Sequence, residues 1–93
     1  MSEAQIHGKS IQAIARDISE GFFFVNPLIL KKFGPEDYKV LHHQLKKLQH
    51  EVRAEKFPLH DALAIRSRNN RLQHLHSALM ILENSARERR VVL

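Results

Sequence analysis

Residues 38–52 read YKVLHHQLKKLQHEV, and their apolar side chains recur at alternating spacings of three and four residues. That period is typical of a coiled-coil seam on one face of a helix. The pattern returns over residues 72–86, and Pro58, which disfavours helix at the residue before it, lies between the two stretches. We therefore predict a long antiparallel helical hairpin, with helices at about 35–57 and 58–89. The seam positions are Tyr38, Leu41, Leu45, Leu48 and Val52, followed by Leu72, Leu75, Leu79, Leu82 and Ala86.

The sequence before the hairpin predicts one further helix. Apolar residues at helical spacing favour a helix over about residues 3–20, and Gly21 is a natural end for it. The predicted fold is therefore all-α, a small helical bundle built on the hairpin and a short N-terminal helix. No strand-like alternation of useful length competes with this interpretation.

The connector, residues 21–34, is predicted to contain a short helix over about 28–33. Asn26 can cap that helix, and Pro27 suits its first position. The apolar stretch Phe22–Phe33 has two interpretations. It either closes the open end of the hairpin against the first helix or forms an exposed docking patch for a partner.

The second seam, followed backwards, reaches the polar stretch Arg66–Arg71. This stretch is either a polar layer in one continuous helix or a break near Asn69 and Asn70, and the lack of Gly and Pro favours the continuous helix. Asp61 and Arg68 fall on the seam itself, where an unpaired charge is costly. In an antiparallel self-pairing, Arg68 of one copy can meet Asp61 of the other and fix the register. The alternative is that the two residues lie at an exposed end of the seam.

Chain length favours self-association. The protein has 93 residues and no cysteine, so it forms one small domain without disulfides. Small helical chains often enlarge their core by pairing, and we expect a homodimer. The predicted oligomer seam consists of Leu41, Leu45, Leu48, Val52, Leu72, Leu75, Leu79 and Leu82.

Enzyme and cofactor chemistry has little support. The sequence has no nucleophile elbow, no Gly-rich phosphate loop and no dinucleotide-binding fingerprint. None of the seven histidines has a second histidine three or four residues away, so we predict no metal and no cofactor. We expect neither a signal peptide nor a membrane span, and by default a cytoplasmic protein. A pocket that holds Arg68 and a carboxylate would instead indicate a small helical enzyme.

Positive charge is the remaining signal. The formal net charge is +5, and every cation after Pro58 is an arginine, the side chain best suited to bind phosphate. We predict a small non-enzymatic interaction module, an adaptor or regulator with an unknown protein partner. The alternative is a nucleic-acid-binding regulator that uses an Arg-rich face of the last helix. The residues of that face are Arg66, Arg68, Arg71, Arg87, Arg89 and Arg90.

Overall fold

The computed structural model describes the backbone of residues 5–6 and 9–93 and the side chains of residues 10–93. This part of the chain is mostly helical, with one pair of two-residue strands at its start. The all-α prediction is confirmed apart from that pair. In chain order, the elements are β1 (Gln5–Ile6), β2 (Lys9–Ser10), α1 (Ile11–Glu20), α2 (Pro27–Leu30), α3 (Pro35–Ala54) and α4 (Ala62–Glu88).

The strands replace the expected start of the first helix. We predicted that helix from about residue 3, which is wrong at β1 and β2 because these two elements pair antiparallel. The helix begins only after Ser10, whose hydroxyl accepts the backbone N–H of Ala13 at 3.2 Å. That contact is an N-cap, which satisfies an otherwise unpaired amide in the first turn. Residues 1–4 and 7–8 of the predicted helix lie outside the described residues.

Local hydrogen bonds set the next three helix ends as predicted. Gly21 ends α1 in the left-handed conformation, with a φ of 83°. At the start of α2, Asn26 Oδ1 accepts the backbone N–H of Ile29 at 3.0 Å. At the start of α3, the Asp37 carboxylate accepts the backbone N–H of Gly34 at 2.8 Å. Each contact spans at most a few residues, so the sequence alone can specify it.

Two helices end earlier than the sequence pattern predicts. α2 ends at Leu30, and the chain continues as a turn in which the Phe33 amide donates to the Leu30 carbonyl at 3.0 Å. The prediction that this helix extends to Phe33 is therefore wrong. α3 ends at Ala54 rather than near residue 57, because Glu55 has an extended backbone with a ψ of 145°.

α4 begins later than predicted and has no break. Its first residue is Ala62 rather than Pro58, because the Asp61 side chain accepts the backbone N–H of Ala64 at 3.0 Å and caps the helix. The helix continues unbroken through Arg66–Arg71, which confirms the continuous-helix interpretation.

All four helices contribute to one core. The first turn of α3 lies beside the end of α4, where the Tyr38 hydroxyl is 2.7 Å from Ser85 Oγ. The end of α3 lies beside the middle of α4, where Arg71 Nη2 is 3.1 Å from Glu55 Oε1. α1 packs against both long helices. The buried apolar residues are Ile11, Ile14, Ala15, Ile18, Val25, Leu30, Phe33, Tyr38, Leu41, Leu45, Val52, Leu75, Ala78, Leu79, Leu82 and Ala86.

Candidate interaction surfaces

The predicted oligomer seam lies inside a single copy of the chain. Leu48 and Leu72 are half-buried against the core, and the other six seam residues are buried in it. A side chain with almost no exposed area cannot contact a second copy unless the core opens. These residues therefore hold the helices of one chain together, and contact with a partner requires other side chains. The six buried seam residues are Leu41, Leu45, Val52, Leu75, Leu79 and Leu82.

Arg89, one of the predicted anion-binding residues, is part of the fold. Its guanidinium group donates to the backbone carbonyls of Leu30 and Phe33 at 3.0 and 2.7 Å. It also lies 3.2 Å from the Tyr38 hydroxyl, and its Cζ is 5.3 Å from the centre of the Tyr38 ring. These contacts satisfy carbonyls at the end of α2 and hold the connector against the end of α4. Arg89 therefore offers little to an external phosphate.

Arg71 and Arg68 also have partners within the chain. Arg71 donates two hydrogen bonds to the Glu55 carboxylate, at 3.2 and 3.1 Å, so its charge is already paired. Arg68 is half-buried, with its Cζ 5.3 Å from the centre of the Phe57 ring. The Nε atoms of Arg68 and Arg71 are buried and have no hydrogen-bond partner. The two side chains help to hold α4 against the end of α3.

The other three arginines do not form one patch. Arg87 donates to the Asn84 side chain at 3.4 Å. Arg90 follows the end of α4 with a φ of 59°, and among the described residues the side chains of Arg90 and Arg66 make no hydrogen bond or ion pair. Arg66 and Arg87 are separated by about 30 Å along the helix, at 1.5 Å per residue. The predicted Arg-rich face is therefore dispersed.

Arg66 lines an open cleft of about 260 Å³ between α1 and α4. At one end, His74 Nδ1 lies 2.9 Å from the Ser19 carbonyl, and this hydrogen bond holds α4 against the end of α1. The cleft also contains the Glu20 carboxylate, which opposes the binding of an anion. Arg68, the residue that a small helical enzyme would need, is not among the lining residues. These are Ser19, Glu20, Leu63, Arg66, Ser67, Asn70, Arg71 and His74.

The proposed register pair, Asp61 and Arg68, is not in contact within one chain. Asp61 is exposed and caps α4 through one carboxylate oxygen, which leaves the other oxygen available. Arg68 lies about two turns further along the same helix. The intermolecular pair therefore remains a hypothesis.

The loop between the long helices carries an apolar surface that the seam pattern does not identify. We define the tip surface as Phe57 and Leu59, whose side chains are 44% and 71% exposed and line one open cleft. The turns of α4 that follow are poorly covered, since no residue of α4 before Leu75 is buried. The signal in the sequence was a group of large apolar residues around Pro58, outside either heptad pattern.

The apolar connector is divided between core and surface. Val25, Leu30 and Phe33 are buried in the core. We define the connector surface as Phe22, Phe24 and Leu28, which are 80%, 69% and 70% exposed. The interpretation that the connector closes the core is confirmed for the buried residues, and the docking of a partner on the exposed ones stays a prediction.

The described residues contain no group of three or more side chains suited to hold a metal ion. His42 Nε2 lies 3.0 Å from Glu83 Oε2 of α4. The neighbour of His42 on the facing helix is therefore a carboxylate, and not a second histidine that could share a metal ion with it. No helix among the described residues is long and apolar enough to cross a membrane. The chain matches no protein-family model, no curated protein and no solved structure.

Proposed function

We propose that this protein is a small, non-enzymatic interaction module, an adaptor or regulator that acts through protein–protein contacts and self-associates as a homodimer. The observation that carries the proposal is the tip surface, where Phe57 and Leu59 line the same open cleft and are 44% and 71% exposed. Adjacent exposed apolar side chains of this size are typical of contact sites. The absence of cysteine is compatible with a reducing compartment, which supports a cytoplasmic location.

The first turns of α4 favour a second copy as the occupant of this surface. Ile65 and Leu72, which share one face of the helix, are only half-buried there, so the chain covers this face incompletely. Most helical stability in proteins comes from packing rather than from intrinsic propensity. The same turns of a second copy, placed antiparallel, supply the missing packing and extend the packed helices of one chain into a larger bundle.

Charge at the tip also supports pairing between identical copies. The start of α4 carries both an acidic and a basic group, Asp61 and Arg68, seven residues apart. Antiparallel pairing about a two-fold axis brings each group of one copy towards the opposite charge of the other. An isologous contact of this kind closes at the dimer and does not propagate into a fibre.

The first test is the molar mass in solution, by sedimentation equilibrium over a concentration series. We expect the mass to rise from 10.8 kDa towards twice that value. Leu59→Glu, at a residue that is 71% exposed on the tip surface, should weaken association by more than about tenfold, since it puts a charge into the apolar contact. Leu28→Glu is the matched control, because Leu28 is 70% exposed on the connector surface. A wild-type chain that stays monomeric at every concentration, or equal weakening by both variants, would refute the proposal.

The second test concerns the register of the pair. Asp61→Lys and Arg68→Glu should each weaken association, and the double variant should restore it. Because Asp61 also caps α4, far-UV circular dichroism of each variant checks that the helix is intact. Unchanged mass in both single variants would show that the dimer uses a different register.

A further inference from the structure

The outer face of α3 is a continuous stripe of basic side chains. Lys39, His43, Lys46, His50 and Arg53 recur at alternating spacings of four and three, and all five are exposed. This arrangement mirrors the apolar seam on the opposite side of the same helix. Each of these residues therefore points away from the core along the length of α3. Lys47, also exposed, lies beside the stripe.

Little negative charge neutralises the stripe within the chain. Glu36 Oε1 lies 3.7 Å from Lys39 Nζ, but both side chains are largely exposed, so this ion pair is weak. Glu51 lines the same shallow cleft as Lys47 and Arg16. Two of the remaining carboxylates are already engaged elsewhere, with Glu55 bound to Arg71 and Glu83 close to His42. In the part of the chain that the structure describes, the side chains of Lys46, Lys47 and Arg53 make no hydrogen bond or ion pair.

The spacing of the stripe suits an extended polyanion. Lys39, Lys46 and Arg53 are each two turns apart, or about 10 Å along a straight helix. The whole stripe spans about 20 Å, over which a nucleic-acid duplex presents many phosphates. Lysine is a mobile point charge rather than a planar fork, so it suits contacts with phosphates, which carry no sequence information.

The composition of the stripe argues against two other polyanions. Single-strand sites typically stack bases on large aromatic side chains, and the stripe contains no Phe, Tyr or Trp. Membrane-surface helices insert an apolar face into the bilayer, but the apolar face of α3 is buried against α1 and α4. A duplex requires neither feature.

We propose that the outer face of α3 binds the phosphate backbone of a nucleic-acid duplex without sequence preference, through Lys39, Lys46, Lys47 and Arg53. This site is distinct from the dispersed arginines of α4. It is also separate from the tip surface, so a dimer would present two such faces.

Fluorescence anisotropy with labelled duplex DNA of mixed sequence, and with the corresponding duplex RNA, tests the proposal across a salt series. Four phosphate contacts predict a slope of about −3.6 for log K against log salt concentration. Replacing Lys46, Lys47 and Arg53 together by Gln should reduce the magnitude of that slope by about 3 and weaken binding at least about tenfold. All three side chains are exposed, so the variant should fold normally, which its thermal melt will check.

The matched control replaces Arg66, Arg87 and Arg90 by Gln. It removes the same charge from α4 and the residues that follow it, and we expect a loss of less than about threefold. Binding of one duplex only would support the proposal and identify the nucleic acid. Equal losses in the two triple variants would overturn it, because net charge alone would then explain binding. No duplex binding at low salt, or binding only to vesicles that contain phosphatidylserine, would also overturn it.

Discussion

Arg89→Ala is the substitution that most directly separates a structural arginine from a ligand-binding one. The guanidinium group donates to the carbonyls of Leu30 and Phe33 at 3.0 and 2.7 Å, and it lies against the buried Tyr38 ring. Truncation leaves both carbonyls without this donor. The Leu30 carbonyl still accepts the Phe33 amide at 3.0 Å and lies 3.4 Å from the Tyr38 hydroxyl, so the larger loss falls on the Phe33 carbonyl. We therefore expect Arg89→Ala to destabilise the packing of the connector on α4.

The expected loss in the free energy of unfolding depends on how many hydrogen bonds Arg89 makes and on how exposed they are to water. Hydrogen bonds to a charged donor contribute roughly 1.5–3 kcal/mol each. Arg89 as a whole is exposed, so water can solvate part of what the side chain leaves behind. We expect a net loss of about 2–3 kcal/mol in the free energy of unfolding for the two carbonyl contacts together. In a domain of this length that corresponds to a fall in Tm of about 10–20 °C.

Urea unfolding and thermal melts, both followed by far-UV circular dichroism, measure the effect. Arg87→Ala is the control, because Arg87 lies in the last turn of α4 and, among the described residues, its guanidinium group hydrogen-bonds only to the exposed Asn84 side chain, at 3.4 Å. It removes the same charge from the same helix end, so the helix-dipole contribution largely cancels. We expect Arg87→Ala to change stability by less than about 0.5 kcal/mol. Equal destabilisation by the two variants would show that charge, rather than the carbonyl contacts, is responsible.

Three further substitutions test the core, the end of α1 and the start of α4. Leu82→Ala should lower the free energy of unfolding by about 2–5 kcal/mol, because Leu82 is buried. The control Leu63→Ala, at an exposed residue, should change it by less than about 0.5 kcal/mol in the monomer. Similar values for the two variants in urea unfolding would contradict the burial of Leu82. Gly21→Ala should cost more than about 1 kcal/mol, because φ is 83° and the new Cβ would lie 2.8 Å from His74 Cε1. A double-mutant cycle with His74→Ala measures the steric part of that loss, and no coupling would argue against the close approach. Asp61→Ala should cost about 1 kcal/mol and Asp61→Asn almost nothing, since Asn caps equally well; equal losses in thermal melts would exclude the cap.

The sequence identified which predicted contact residues are buried or charged, but it did not identify their partners, because those partners lie far away along the chain. The heptad spacing correctly marked Leu41 and Leu79 as buried positions, but a seam looks the same whether it packs within one chain or between two copies. That choice depends on where α1 lies, because Ile14 and Ile18 are buried in the same core and complete it without a second copy. Composition correctly reported excess positive charge, yet it could not separate an arginine bound to carbonyls from one open to solvent.

The sequence by itself determined the features whose hydrogen bonds close within a few residues. Gly21 ends α1, Asn26 caps α2, and the absence of Gly and Pro keeps α4 continuous through Arg66–Arg71. Only the tertiary structure decided the role of Arg89, since its acceptors Leu30 and Phe33 lie more than fifty residues away. The physical reason is that a cap is specified by the dihedral angles and side chain of its own turn. A distant acceptor, in contrast, becomes a neighbour only after burial of the apolar faces has fixed how the helices pack.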